Sequence, residues 1–182
     1  SALMITSFVL GALLVFISTL ARDAKRAIEG YQKSRQIRKG QSLKEELNKG
    51  MEDFLRGNLP KAKTHFVEVL KRDPSQIDLY FRLSEIALKE GNDEEALYWL
   101  ERARLIDMKN VDILLSEAGL YQRMKRFDEA IRTLNLAIGL DETNLKALRS
   151  LREICLNSRR WEEAIRIQKS ILKLTKGKQT EE

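Results

Sequence analysis

Few residues of this sequence are equipped for chemistry. The one histidine, His65, stands next to Phe66, and a lone helical histidine more often packs or faces solvent than acts as a base. The one cysteine, Cys155, has no histidine near it in the chain to draw off its proton. A single thiol also forms neither an internal disulfide nor a cysteine-rich zinc cluster. The adjacent carboxylates Glu94–Glu95 and Glu162–Glu163 recur at matching places, which marks structural repetition rather than an acid/base pair. No glycine-rich phosphate loop or metal-ligand spacing is present. The expectation is a protein that is not an enzyme and uses no cofactor and no metal.

The elements that carry these residues are helices. Two prolines and nine glycines in 182 residues, with 43% hydrophobic and 33% charged content, suit an all-α chain and exclude a sandwich, a barrel or a disordered polymer. Ala62, Ala96, Ala130 and Ala164 follow one another at a constant spacing of 34 residues. Four residues after each comes Phe66, Leu100, Leu134 or Gln168, and seven after comes Val69, Ala103, Ala137 or Ile171. That i, i+4, i+7 set is one face of a helix. Five residues before each alanine, Gly57, Gly91, Lys125 and Arg159 hold the equivalent turn. A small residue where two helices cross lets their axes approach, and the larger one a turn later fills the gap. The spacing predicts helix pairs at about 43–56 with 59–72, 77–90 with 93–106, 111–124 with 127–140, and 145–158 with 161–174.

This pattern resembles the tetratricopeptide repeat (TPR) family, whose unit is two antiparallel helices in about 34 residues. Gly50, Ala62, Phe66 and Pro74 carry the likeness in the first unit, and Tyr80, Leu83, Ala96 and Ala103 in the second. Leu114, Tyr121 and Ala130 carry it in the third, and Leu148, Leu151 and Ala164 in the fourth. The resemblance covers residues 43–176 and implies a four-repeat α-solenoid with a polar tail at 177–182. It also implies a concave groove, lined by the first helix of each unit, that takes a protein partner. The groove residues are then Leu47, Met51, Phe81, Glu85, Leu88, Leu115, Arg149 and Glu153. Leu47 and Met51 occupy places where chaperone-binding members hold the Lys and Asn of a carboxylate clamp, which argues against capture of a chaperone C-terminus.

The formal net charge of +6 is not spread along the chain. Residues 1–21 carry no charged side chain, residues 22–44 hold eight basic and two acidic ones, and residues 45–182 hold 25 of each sign. Twenty uncharged residues, Ala2 to Ala21, reach about 30 Å as a helix, enough for a bilayer core. Residues 1–21 are therefore expected to be a transmembrane helix, and residues 22–42 a basic juxtamembrane connector. The positive-inside rule puts the basic side and the repeats in the cytoplasm, with a bacterial inner membrane as the expected site. No Lys or Arg precedes the apolar run, which favours an uncleaved anchor over a signal peptide, the alternative. Membrane lipids are expected to contact residues 1–26, with Arg22, Lys25 and Arg26 as the membrane-proximal bases. Ser7, Gly11 and Ser18 form a small-residue face suited to helix pairing. One tyrosine in the basic stretch makes a poor stacking platform, so no nucleic-acid partner is expected.

The order of anchor, basic connector and repeats resembles the lipopolysaccharide assembly protein B family of Gram-negative bacteria, through LNKGMEDFLRGNLPKAKTHF and WEEAIRIQKSI. The resemblance implies a membrane-held scaffold that presents an enzyme of lipopolysaccharide synthesis to a membrane protease. That family also carries a zinc module with paired C-x-x-C motifs, absent from this sequence. Two other functional readings stand beside it: an accessory subunit of a larger membrane complex, and a targeting or import receptor reading peptides in the groove. Ile167, Ile171 and Leu174 are expected to form an uncapped apolar stripe at the end of the solenoid, since stacked repeats need a polar cap.

Overall fold

The computed structural model describes Arg22, Lys25, Arg26, Tyr31 and residues 35–179, the last three by backbone alone. The expected transmembrane helix and its pairing face Ser7, Gly11 and Ser18 lie outside the described residues. No helix among the described residues is long and apolar enough to cross a membrane.

Residues 35–55 form α1. Seven helices follow: α2 (Leu59–Arg72), α3 (Ile77–Lys89), α4 (Asp93–Ile106), α5 (Val111–Arg123), α6 (Phe127–Leu140), α7 (Leu145–Asn157) and α8 (Trp161–Gln179). From α2 onward each helix packs on its sequence neighbours, which is the one-dimensional architecture of a solenoid. Two boundaries differ from the periodicity. The first helix begins by residue 35 rather than 43, and α8 runs on to Gln179 rather than 174. Residues 35–42 are exposed, so no apolar stripe announces that they are helical.

The repeating alanines do what their size requires. Ala62, Ala96 and Ala130 are fully buried and Ala164 is 3% exposed. Phe66, Leu100, Leu134, Val69, Ala103 and Ala137 are buried one or two turns on. At the first crossing Gly50 is the contact point: a Cβ there would stand 2.8 Å from Phe66 Cε1, closer than carbon atoms approach.

Both kinds of turn follow the same period. Gly57 and Gly91 close the first two helix pairs at φ of +80° and +77°, and Lys125 and Arg159 take the same left-handed conformation at 58° and 62°. Between units, Asp73, Asp107 and Asp141 accept hydrogen bonds from the backbone N–H two residues on, at Ser75, Lys109 and Thr143. They also accept from the side-chain amides of Gln76, Asn110 and Asn144. The Ser75 hydroxyl, which also donates to Asp73 at 2.6 Å, then the Gln76 amide and the Ser75 N–H hold the Asp73 carboxyl below its usual range. Asn110 and Asn144 then cap α5 and α7 by accepting from backbone N–H groups of the first turn, which offsets orphan donors there.

The end of the solenoid corrects the expected stripe. Ile171 is only 5% exposed, Ile167 packs against the main core, and Leu174 is half-buried. Ile171 falls seven residues after Ala164, as Ala137 does after Ala130, on a face the fold encloses. The apolar residues that face solvent are Trp161, Ile165 and Leu172, at 57%, 56% and 47%. Their equivalents 34 residues earlier, Phe127, Ile131 and Ile138, are buried or half-buried in cores shared with α7. The uncovered surface is thus the side of α8 that in α6 receives the next helix.

Candidate functional site

The groove forms where the first helices of successive units lie side by side. Leu47 and Met51 of α1 meet Phe81 and Glu85 of α3 around a depression of about 410 Å³, with Asp78 and Arg82 on its rim. Leu47, Met51 and Phe81 are half-buried: their packed sides join the core and their free sides line the floor. Phe54 packs on Phe66 with the rings tilted and their centroids 6.2 Å apart. Arg82 and Lys89 lie over its ring at 5.2 and 4.8 Å from the centroid.

Charge in this part of the groove is balanced. Glu85 pairs with Lys89 at 3.0 Å and with Arg82 at 3.4 Å, all three partly exposed. A partner docking here meets an apolar floor with ion pairs it can exchange, which is how interface rims behave. Arg82 was not marked by the groove spacing, because it lies one residue past Phe81. Its place between Phe54 and Glu85 comes from the long side chain bending across the face.

Further along, the predicted residues divide. Leu88 and Leu115 are half-buried against the main core cluster, so they continue the apolar floor. Gly119 beside them leaves open space, with nothing within 4 Å of the position its Cβ would take. Arg149 and Glu153 are exposed on α7, and Glu153 accepts a hydrogen bond from Gln122 of α5 at 3.3 Å. They are not gathered into the depression with Leu47 and Phe81. Arg22, Lys25 and Arg26 are exposed and helical.

The chemistry-bearing residues are held in structural settings. His65 Nδ1 stands 2.7 Å from Glu46 Oε1 and its Nε2 3.4 Å from Asp53 Oδ2. The ring thus bridges α1 to α2 at positions 46 and 53, where later units place Tyr80 and Ala87 in their cores. Cys155 is fully buried, and burial first, then the Glu163 carboxylate, pushes its thiol up, away from the reactive thiolate. Glu95 accepts from Lys63 at 2.9 Å and from Trp99 Nε1–H at 3.2 Å, and the Lys63 bond chiefly holds its carboxyl below the usual range. No group of three or more His, Cys, Asp or Glu placed to hold a metal occurs among the described residues.

Comparison with known proteins gives one consistent fold. Models of the tetratricopeptide repeat match residues 47–110, 111–144 and 147–182, the first two meeting at the turn before α5. Among curated proteins the chain is similar to the DnaJ homolog subfamily C member 7 homolog of Schizosaccharomyces pombe, 29% identical over 126 residues, covering 67% of this chain and 26% of that protein. It is also similar to Stress-induced-phosphoprotein 1 of Caenorhabditis elegans, 30% identical over 114 residues, covering 63% and 35%. The chain thus spans between a quarter and about a third of the length of these relatives. Among solved structures, a tetratricopeptide repeat protein from Parabacteroides merdae aligns with TM-score 0.68 at 22% identity, covering 75% of this chain and 54% of that one. A crystal structure of MamA aligns with TM-score 0.60 at 19% identity, covering 70% and 75%. At these identities the structures show a shared fold.

Proposed function

Because the chain belongs to the tetratricopeptide repeat family, whose solenoids serve as protein-interaction scaffolds, we propose that it holds a protein partner in its concave groove at the cytoplasmic face of a membrane. The observation that carries the reading is the depression formed by Leu47, Met51, Phe81 and Glu85. Its apolar floor and self-paired rim suit an amphipathic helix or extended segment held by shape and a few anchors. The solenoid carries equal numbers of acidic and basic side chains from residue 45 onward, so bulk charge supplies little of the specificity.

Membrane attachment rests on the uncharged residues 1–21 and the basic stretch after them. On the sequence resemblance, the process served is envelope or lipopolysaccharide assembly. Affinity capture from detergent-solubilised membranes tests the proposal, comparing the full chain with one lacking residues 1–21 and with a Phe81→Glu/Leu115→Glu variant. The same partner should be retained by the full chain and lost from the groove variant. Equal capture by the groove variant overturns the groove reading, and equal membrane recovery without residues 1–21 overturns the anchor.

A second reading, an accessory subunit of a larger complex, is favoured by the exposed Trp161, Ile165 and Leu172 on α8. Their covered equivalents on α6 show the kind of helix that fits such a face. Constant cross-links from Ile165, independent of groove substitutions, would select it. The import-receptor reading calls instead for transient peptide cross-links at Phe81 and Leu115.

A further inference from the structure

The amino-terminal part of α1 projects past the end of α2 and leaves a notch of about 930 Å³ where the two meet. Arg35, Arg38, Lys39 and Leu43 line it from α1, Arg72 from α2, and Tyr31 from the chain before α1. Positions 35, 38, 39 and 42 share one face of α1, and Tyr31, itself helical, lines the same notch.

Among the described residues no carboxylate is paired with Arg35, Arg38 or Lys39. Arg72 is already engaged: its Nε and Nη2 donate to Glu68 at 3.2 and 3.0 Å, and its Nη1 to Ser42 Oγ at 3.4 Å. That arrangement fixes Arg72 as a wall and leaves three free cations facing one opening. From Arg35 to Lys39 the helix rises only about 6 Å, the reach of a single phosphoryl group rather than of a nucleic-acid backbone. Guanidinium forks match phosphate oxygens two at a time, and a neighbouring ammonium adds a point charge. The apolar part of the lining is also exposed, with Tyr31 at 71% and Leu43 half-buried. Inorganic phosphate has no use for that surface, whereas the glycerol and first acyl carbons of a lipid lie naturally against it.

We propose that this notch binds the phosphate headgroup of an anionic phospholipid, with Arg35, Arg38 and Lys39 on the phosphate and Tyr31 and Leu43 against the carbons below it. The site is separate from the partner groove and stands on the geometry of α1 and α2, whether or not residues 1–21 span a membrane.

The test titrates the detergent-solubilised full chain, by calorimetry, with dihexanoyl phosphatidylglycerol, dihexanoyl phosphatidylcholine, inorganic phosphate and a short single-stranded oligonucleotide. The phosphatidylglycerol should bind at least tenfold more tightly than the other three. Changing Arg35, Arg38 and Lys39 together to Gln should weaken it at least tenfold. Changing the exposed Lys109, Arg132 and Lys169 to Gln, which removes the same charge elsewhere, should leave affinity within about twofold. Tyr31→Ala should weaken phosphatidylglycerol while leaving the response to phosphate unchanged. All these positions are exposed, and an unchanged helical circular dichroism signal confirms folding. Equal loss in both triple variants, or phosphatidylcholine bound as well as phosphatidylglycerol, overturns the site. Phosphate bound as tightly as the lipid overturns the lipid as its ligand, and tighter oligonucleotide binding overturns it in favour of nucleic acid.

Discussion

Arg104 Nε of α4 stands 3.0 Å from Glu117 Oε1 of α5, and the glutamate is 1% exposed while the arginine side chain is 40% exposed. Glu117 occupies the register position that Leu83 and Leu151 hold one unit earlier and one unit later. Its Oε1 has no well-aligned hydrogen-bond donor, so the ion pair offsets only part of the cost of burial.

The pH dependence follows from that imbalance. Burial raises the Glu117 carboxyl from 4.5 to about 7, opposed by Arg104 and reinforced by Glu101 of α4. An acid with a raised folded-state pKa holds its proton longer in the folded than in the unfolded chain. Its contribution to stability is therefore largest below 4.5 and is lost as pH rises through about 7. The shift corresponds to roughly 3 kcal/mol. Glu117→Leu should raise stability at pH 8 by about 1 to 3 kcal/mol and flatten its slope between pH 5 and 8, since Arg104 can turn to water. Urea denaturation at both pH values checks this, and an unchanged slope in the variant contradicts it.

Gly50 and Ala130 sit buried at helix crossings. Gly50→Ala drives a methyl group into the buried Phe66 ring and should cost about 1 to 3 kcal/mol despite the helix propensity gained. Ala130→Leu should cost about the same through overpacking. Denaturant midpoints at or above the parent value would contradict both.

The helix-pair turns should respond with opposite signs. Gly91→Ala forces a side chain into the left-handed region at φ +77° and should destabilise by about 1 kcal/mol. Lys125 and Arg159 already bear that strain, so Lys125→Gly should stabilise by up to about 1 kcal/mol, reduced by the greater freedom of the unfolded chain. Thermal melts of the pair decide the matter; the same sign for both would refute the turn account.

Much of this architecture is legible because a 34-residue period repeats every packing decision. Ala62, Ala96, Ala130 and Ala164 locate the crossings, and the helix limits from 59 to 157 follow within about a residue. What the period could not show are departures from it. Residues 35–42 are helical without burying anything, so no stripe reports them. In α8 the period itself puts Ile171 on the enclosed face of Ala103 and Ala137, so the expectation of an outward stripe there follows from the missing cap and not from the spacing. The Asp73, Asp107 and Asp141 turns were in plain sight at the same period, readable from an Asp followed three residues later by an amide side chain. Glu117 shows the opposite case: only packing reveals that a charged residue fills a leucine site. In the groove, the family resemblance implies Leu47, Met51, Phe81 and Glu85, which line one depression, whereas Arg82 reaches it only through the path of its long side chain.

Ionic ties between units should be worth little individually. Lys63 to Glu95, Arg126 to Glu94 and Arg160 to Asp128 recur at a separation of 32 residues, joining successive helix pairs along one edge. Lys63→Met should cost no more than about 1 kcal/mol and should lose most of that effect in 1 M salt. A larger, salt-independent loss would mean that packing of the lysine stem dominates.

Site-specific photo-cross-linking in native membranes addresses the groove scaffold most directly, with the reactive group placed in turn at Leu47, Phe81 and Leu115 and, as a comparison, at exposed Leu136. The three groove positions should yield one common partner, absent from Leu136 and abolished in the folded Met51→Glu variant. A partner captured only from Leu136, or captured equally well from Phe81 when Met51 is changed to Glu, would contradict the account.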